Sequence, residues 1–465
     1  MHSNAPRVPR HIFREYDIRG LAERELSDEI AGAIGAAYGT YLSGKGIYSA
    51  VAGGDARLST PRIKSAVVDG LTSVGISVTD IGLSATPAFY WSLYHFDVSG
   101  GVMVTGSHNP PEFNGLKLAR GKSTIWGGDI VEIYKIISEG RSEKPGTRGA
   151  VRNADITEAY IETLVSKIRL GPRKLKLVLD SGNGTGGIYA PAFLRAVGAD
   201  VEEMFSEPDG RFPNHHPDPT KREYLLPLMN TVKRSRADAG IGFDGDSDRI
   251  GVVDDEGNMI FGDQLMAIYW REILRKHPGA LAITEIKSSA MLPEEIARLG
   301  GKPMWWKSGH SLVKAMMREE NALFAGEVSG HMFFADEYYG YDDAFYAAGR
   351  LARILSNTEK KLSELVAELP RYHSTAETRF PCPDETKFGV VERVKERALK
   401  EADTITVDGV RIIYPDGWSL LRVSNTQPTL VSRCEGKTEE ALQRISDDMK
   451  RRVREAGGPD FEWEY

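Results

Sequence analysis

Apolar runs of strand length alternate with amphipathic helical stretches through most of this 465-residue chain, a pattern that restricts it to layered α/β architecture. Residues 48–53 (YSAVAG) predict a buried strand. Ser59 or Thr60 can then cap a helix with Pro61 at its first position and Ile63, Ala66, Val67 and Leu71 on one face. A further strand, GVMVT at 101–105, is expected to close this unit. The stretch 139–155 offers Gly, Pro and charge but no apolar stripe, so it reads as a linker. Strand openings recur at 174–180 (KLKLVLD) and 281–286 (LAITEI), spaced as a repeat of βα units. From about residue 370 the order changes to strand 377–382, helix 388–402, strands 404–407, 411–415, 419–424 and 430–435, and a last helix. In that helix Leu442, Ile445, Met449 and Val453 share a face, which suits a small α+β domain.

Composition removes several function classes. Two cysteines, Cys382 and Cys434, cannot build a disulfide framework or a thiolate zinc site, and they suit a reducing, cytoplasmic compartment. A net charge of -7 disfavours nucleic acid or an anionic membrane as the main partner, and no run approaches the ~20 apolar residues that cross a bilayer. A local basic pocket for a small anion remains compatible with that total.

Four clusters carry chemistry. Thr105-Gly106-Ser107-His108-Asn109-Pro110 follows a strand, so Ser107 is expected to stand exposed on a rigid loop where α/β proteins place reactive groups. Asp244-Gly245-Asp246-Ser247-Asp248-Arg249 follows the apolar AGIGF, and alternating carboxylates on an extended loop can converge on one hard cation such as Mg²⁺. An EF-hand is excluded, because Arg249 stands where that loop needs glycine and Asp255 where it needs a bidentate glutamate. Gly326-Glu327-Val328-Ser329-Gly330-His331 offers donors and acceptors suited to sugar hydroxyls between glycines that admit a ligand. In Arg422-Val423-Ser424-Asn425-Thr426-Gln427-Pro428-Thr429, an arginine with clustered hydroxyls and loop amides can hold a phosphate dianion. Gly182-x-Gly184-x-x-Gly187, between strand and helix, also satisfies a dinucleotide fingerprint and would make the chain an NAD-dependent dehydrogenase, but it leaves the four clusters unused.

Together and in this order the clusters resemble the α-D-phosphohexomutase family, the phosphomannomutase/phosphoglucomutase group, over nearly the whole chain. FREYDIRG at 13–20, NGLK at 114–117, GHSLVK at 309–314 and YGYDDAFYAAGR at 339–350 are family-like as well. The resemblance implies three related α/β domains with mixed sheets plus a C-terminal α+β domain around a central active-site cleft, the last domain hinging. The expected segments are 1–153 with the phosphoserine loop, 154–256 with the Mg²⁺ loop, 257–368 with the sugar loop and 369–465 with the phosphate loop. It further implies a hexose 1-phosphate/6-phosphate mutase working through phosphoserine and a hexose 1,6-bisphosphate. Ser107 would carry the phosphoryl group with His108 beside it, and Ser107, Asp244, Asp246 and Asp248 would ligate Mg²⁺. Arg19, Lys117, Arg249, His310 and His331 would be catalytic, the general base lying among His331, His310 and Lys117. Tyr16, Lys287, Glu327, Ser329, Arg422, Ser424, Asn425, Thr426 and Thr429 would bind substrate. Departures are Ser247 for a common glycine, Gln427 for a frequent acid, and Val328 at a position that varies among subgroups. The sugar stays open: mannose or glucose, with a phosphoglucosamine mutase as the alternative. A sugar-phosphate-binding protein without turnover is the alternative of another class. A monomer or small homo-oligomer is expected, with a sugar phosphate as the partner.

Overall fold

The computed structural model describes residues 7–142, 147–424 and 427–464. The chain divides into two compact units, the first made of 1–265 and 329–366, the second of 266–328 and 367–465.

The first unit holds two mixed sheets. In the first sheet Ser49–Gly54 is central, with Ser77–Leu83 on one side and Gly100–Val104 on the other, all parallel. Phe113–Arg120 then runs antiparallel beside Gly100–Val104 and carries Ile18–Leu21 on its outer edge. The sheet therefore does not close at 101–105. Phe113–Arg120 escapes a pattern search because Asn114, Gly115 and Lys117 interrupt its apolar positions, and it is buried on both faces. The expected linker also supplies an edge strand, Val151–Asn153, parallel to Ser77–Leu83. Edge pairing uses backbone groups and needs no apolar stripe. Helices Asp28–Ser43 and Thr60–Ser73 cover this sheet and meet through glycine: a Cβ on Gly70 would lie 2.1 Å from the Gly32 carbonyl oxygen.

The second sheet repeats the plan. Lys176–Asp180 is central between Asp200–Met204 and Ala239–Phe243, all parallel, with Ile250–Asp254 antiparallel outside Ala239–Phe243. In the second unit Leu281–Glu285 likewise lies between Lys302–Trp306 and Phe324–Gly326, all parallel. The three openings seen in the sequence are thus the three central strands of one recurring topology. The remaining sheet is antiparallel, with Thr429–Gly436 pairing Gly417–Val423 and Thr378–Pro381, and Val410–Tyr414 pairing Gly417–Val423. Helices Asp384–Glu401 and Glu439–Glu455 pack their apolar faces onto it, burying Val390, Val394, Leu442, Ile445 and Met449. The former begins four residues earlier than its apolar stripe predicts, at an acidic first turn of Asp384 and Glu385 after Pro383. Strand 404–407 shortens to Thr404–Ile405. The fold class is α/β with mixed sheets and an α+β C-terminal part. Among the described residues, no helix is long and apolar enough to cross a membrane.

Candidate active site

In parallel sheets the carboxyl ends of the strands collect the functional loops. Thr105–Pro110 leaves Gly100–Val104 and Asp244–Arg249 leaves Ala239–Phe243, both within the first unit. The two loops pack backbone to backbone: a Cβ on Gly245 would lie 2.6 Å from the Ser107 carbonyl oxygen. Ser107 is consequently buried, 2% exposed, and does not stand exposed on its loop as the sequence predicts. Its backbone is left-handed (φ 48°), a conformation rare outside glycine, and its amide is held by Thr105 Oγ1 at 2.8 Å.

Ser107 Oγ donates to Asp244 Oδ2 at 2.7 Å and lies 3.0 Å from His108 Nδ1. Asp244, Asp246 and Asp248 are fully buried, and one oxygen from each falls within 4.8 Å of the others. Burial and the charges of Asp246 and Asp248 push the Asp244 carboxyl well above the usual range. Asp246 lies below that range: burial opposes ionisation, but Lys117 outweighs it. The Lys117 ammonium sits 2.8 Å from Asp246 Oδ2 and also pairs with Asp248. Its own burial would discharge it, yet the two carboxylates hold its pKa above the ordinary lysine value. Asp246 Oδ1 and Asp248 Oδ1 are buried without a hydrogen-bond partner. Orphaned, converging carboxylate oxygens are a donor set that fits a hard divalent cation.

Arg249 donates its amide to Asp244 Oδ1 (3.1 Å) and its Nε to His331 Nε2 (3.0 Å). His331 reaches this place because Ile250 N donates to the Gly330 carbonyl at 3.0 Å, and its Nδ1 lies 3.1 Å from Asp342 Oδ2. Arg19 donates to Asn109 Oδ1 (2.8 Å) and Asp17 Oδ2 (2.6 Å). Burial, followed by the charges of Arg249, Arg19, His331 and Lys117, moves the His108 imidazole well below its usual range. Tyr16 and Ser329 are half-buried in the same unit.

The dinucleotide-like glycines have another use. A Cβ on Gly184 would lie 2.7 Å from the Gly245 carbonyl oxygen, and one on Gly187 would lie 1.9 Å from that of Ser206. Chain fills the space a pyrophosphate would need.

The second unit gathers the other expected residues. Glu327 Oε1 accepts from Gly309 N (2.6 Å) beside the buried His310 at a helix start. Lys287 Nζ lies 3.0 Å from both Glu285 Oε1 and Glu377 Oε2. Burial alone would lower its pKa, but those two carboxylates raise it. Asp408 Oδ2 receives Arg422 Nε at 2.9 Å and its terminal nitrogen at 2.8 Å. Ser424 Oγ accepts from Gln427 N (3.1 Å), Ser424 N donates to the Thr429 carbonyl (3.0 Å), and Thr429 Oγ1 is buried without a hydrogen-bond partner. Asn425 and Thr426 lie outside the described residues.

Sequence reasoning missed several residues in direct contact with these groups. Thr86 Oγ1 donates to Asp246 Oδ2 at 2.6 Å, Asp342 meets His331, Glu377 meets Lys287 and Asp408 meets Arg422. Only Asp342 carried a signal, as part of the family-like YGYDDAFYAAGR.

Comparison with known proteins matches most of the chain. Residues 10–144, 158–257 and 261–372 match phosphoglucomutase/phosphomannomutase alpha/beta/alpha domains I, II and III, and 377–452 match the C-terminal domain. The chain is 40% identical over 444 residues to a phosphomannomutase/phosphoglucomutase of Pseudomonas syringae, covering 95% of each. It is also 40% identical over 446 residues to a phosphoglucomutase of Neisseria gonorrhoeae, covering 95% of this chain and 96% of the other. The crystal structure of a phosphoglucomutase/phosphomannomutase family protein from Burkholderia thailandensis superimposes with a TM-score of 0.91 at 37% identity, covering 99% of this chain and 100% of that one.

Proposed function

The chain belongs to the phosphoglucomutase/phosphomannomutase family of enzymes, and from that premise we propose that it interconverts hexose 1-phosphates and hexose 6-phosphates of glucose and mannose. The observation that carries the proposal is Ser107 Oγ, 2.7 Å from Asp244 Oδ2 at the edge of three buried carboxylates. A serine so placed is a phosphoryl carrier beside a cation site.

Phosphoserine 107 gives its phosphoryl group to a free sugar hydroxyl: the bond to Ser107 Oγ breaks, a bond to the sugar oxygen forms, and a hexose 1,6-bisphosphate results. The bisphosphate turns over and returns its other phosphoryl group to Ser107. Asp244, Asp246 and Asp248 would hold Mg²⁺, which when bound neutralises charge developing on the transferred group. Arg249, fixed by Asp244 and His331, and Arg19, fixed by Asp17, present guanidinium groups suited to the phosphoryl oxygens. His108 borders Ser107 Oγ. The proton of the attacking hydroxyl passes to His331 or His310; Lys117, which could serve only with a lowered pKa, is instead held as an ammonium by Asp246 and Asp248 and keeps a charge-balancing role. Arg422, Ser424 and Thr429, with Asn425 and Thr426, bind the phosphate that does not react; the unsatisfied Thr429 Oγ1 supports this role. Tyr16, Lys287, Glu327 and Ser329 bind the sugar. Segments 1–153, 154–256, 257–368 and 369–465 carry the phosphoserine, Mg²⁺, sugar and phosphate loops in turn, and the two buried free cysteines suit a cytoplasmic enzyme.

Intact-mass measurement tests the proposal. Protein treated with glucose 1,6-bisphosphate should gain one phosphoryl group on Ser107, and Ser107→Ala should gain none and lose turnover. Full activity in Ser107→Ala would refute the carrier role, and binding without turnover would identify a non-catalytic sugar-phosphate protein. Coupled assays on glucose, mannose and glucosamine 1-phosphates decide the sugar.

A further inference from the structure

Beneath the Ser107 loop lies a side chain to which the reaction scheme above gives no role. Arg57, 1% exposed, reaches up from the loop after Ser49–Gly54 and donates to the carbonyl oxygens of Ser107 (2.7 Å), Pro110 (2.6 Å) and Phe113 (3.0 Å), and to that of Asn109. Its Nε lies 3.3 Å from Asp55 Oδ2, an oxygen that also accepts from Gly106 N at 3.1 Å, and its guanidinium carbon is 5.3 Å from the centre of the Phe212 ring. Gly106 makes room for it: a Cβ there would lie 2.4 Å from Arg57 Nε and 2.5 Å from its guanidinium carbon.

We propose that Arg57 is the positioning residue of the phosphoryl-carrying loop, holding Ser107 in its left-handed backbone so that Oγ stays beside the Asp244 carboxylate. The proposal rests on Ser107 being the carrier. Four carbonyls that converge on one planar, permanently charged fork define where the loop turns, and a point-charged ammonium cannot reproduce that pattern. Nothing in these contacts touches Ser107 Oγ, so Arg57 acts on phosphoryl transfer through the backbone alone.

The test compares wild type with Arg57→Lys, Gly106→Ala and the double variant, each treated with glucose 1,6-bisphosphate. The readouts are the rate of Ser107 phosphorylation by intact mass, kcat and KM for glucose 1-phosphate, and thermal unfolding. Arg57→Lys should slow phosphorylation and kcat by on the order of 100-fold, the size expected for a displacement near 1 Å, with KM changed less than about threefold. Gly106→Ala, which displaces the guanidinium without removing it, should slow the same step. The two losses should combine to less than their product, because each disturbs one contact. Wild-type rates in Arg57→Lys, losses that multiply, or a fall in kcat that only follows the unfolded fraction would overturn the proposal. If wild type itself takes up no phosphoryl group, the carrier assignment fails instead, and the two failures are distinct.

Discussion

Lys117 is bonded to the carboxylates of both Asp246 and Asp248, and its replacement by methionine tests how the acidic cluster is held together. Removing one partner of a buried pair typically costs about 3–5 kcal/mol, because the other charge is left uncompensated. Here the penalty has a ceiling. A carboxylate with no cation beside it can instead take up a proton, which at pH 7 costs about 4 kcal/mol for a group whose unfolded pKa is ~3.9. The ceiling falls by about 1.4 kcal/mol per pH unit, to under about 2 kcal/mol at pH 5. The sign follows from linkage: in the variant the folded state retains a proton that the unfolded state has released, so stability is lost as pH rises from ~4. Without metal, Lys117→Met should therefore be destabilised by about 3–4 kcal/mol at pH 7 and by less than half of that at pH 5. Added Mg²⁺ should stabilise the variant more than wild type, because it supplies the missing positive charge. Denaturant melts at pH 5, 6 and 7, with EDTA or with Mg²⁺, measure both effects. A penalty that is flat with pH, or that Mg²⁺ leaves unchanged, refutes the account of Lys117 as the charge that balances the cluster.

Three further perturbations are expected to read out separate parts of the molecule. Asp343 caps helix Ala344–Ser356 through Tyr346 N and accepts from Tyr160 and Tyr338, and burial pushes its carboxyl up to about 6. An acid raised this way removes up to about 3 kcal/mol as pH climbs from ~4 to ~6, so that stability profiles of wild type and Asp343→Asn should diverge in that window; parallel profiles would contradict the assignment. Arg411 stacks between Trp305 and Trp418, 4.1 and 3.6 Å from the ring centres, and donates to the carbonyls of Ile286 and Ser288 on either side of Lys287. Arg411→Met should cost roughly 3 kcal/mol and speed amide exchange around residues 286–288, and unaltered exchange there would show that the loop is held by something else. Asp408→Asn should raise KM about tenfold with little change in kcat, since Asp408 orients Arg422 and plays no part in bond breaking; a kcat effect of the same size would argue for a different role.

What could be read from the amino acids divides along one physical line. Short-range patterns survive in sequence: the strand and helix periods, the three recurring central strands, and clusters such as Asp244–Asp248 whose groups share one loop. Contacts made across the fold do not. Thr86 and Asp246 are 160 residues apart, Lys117 and Asp248 are 131, and Arg57 and Ser107 are 50, and no periodicity links such pairs. The same line explains the two misleading features. Ser107 is expected to stand exposed because Gly, Asn and Pro flank it, yet Gly245 of the neighbouring loop packs onto its backbone and the serine is buried. Gly182, Gly184 and Gly187 look like a phosphate cradle because close backbone approach demands glycine whatever approaches. What approaches Gly184 is Gly245, the residue between Asp244 and Asp246. A glycine pattern therefore reports that something comes near and not what it is, and the acidic loop is held at its place by the very motif that seemed to compete with it.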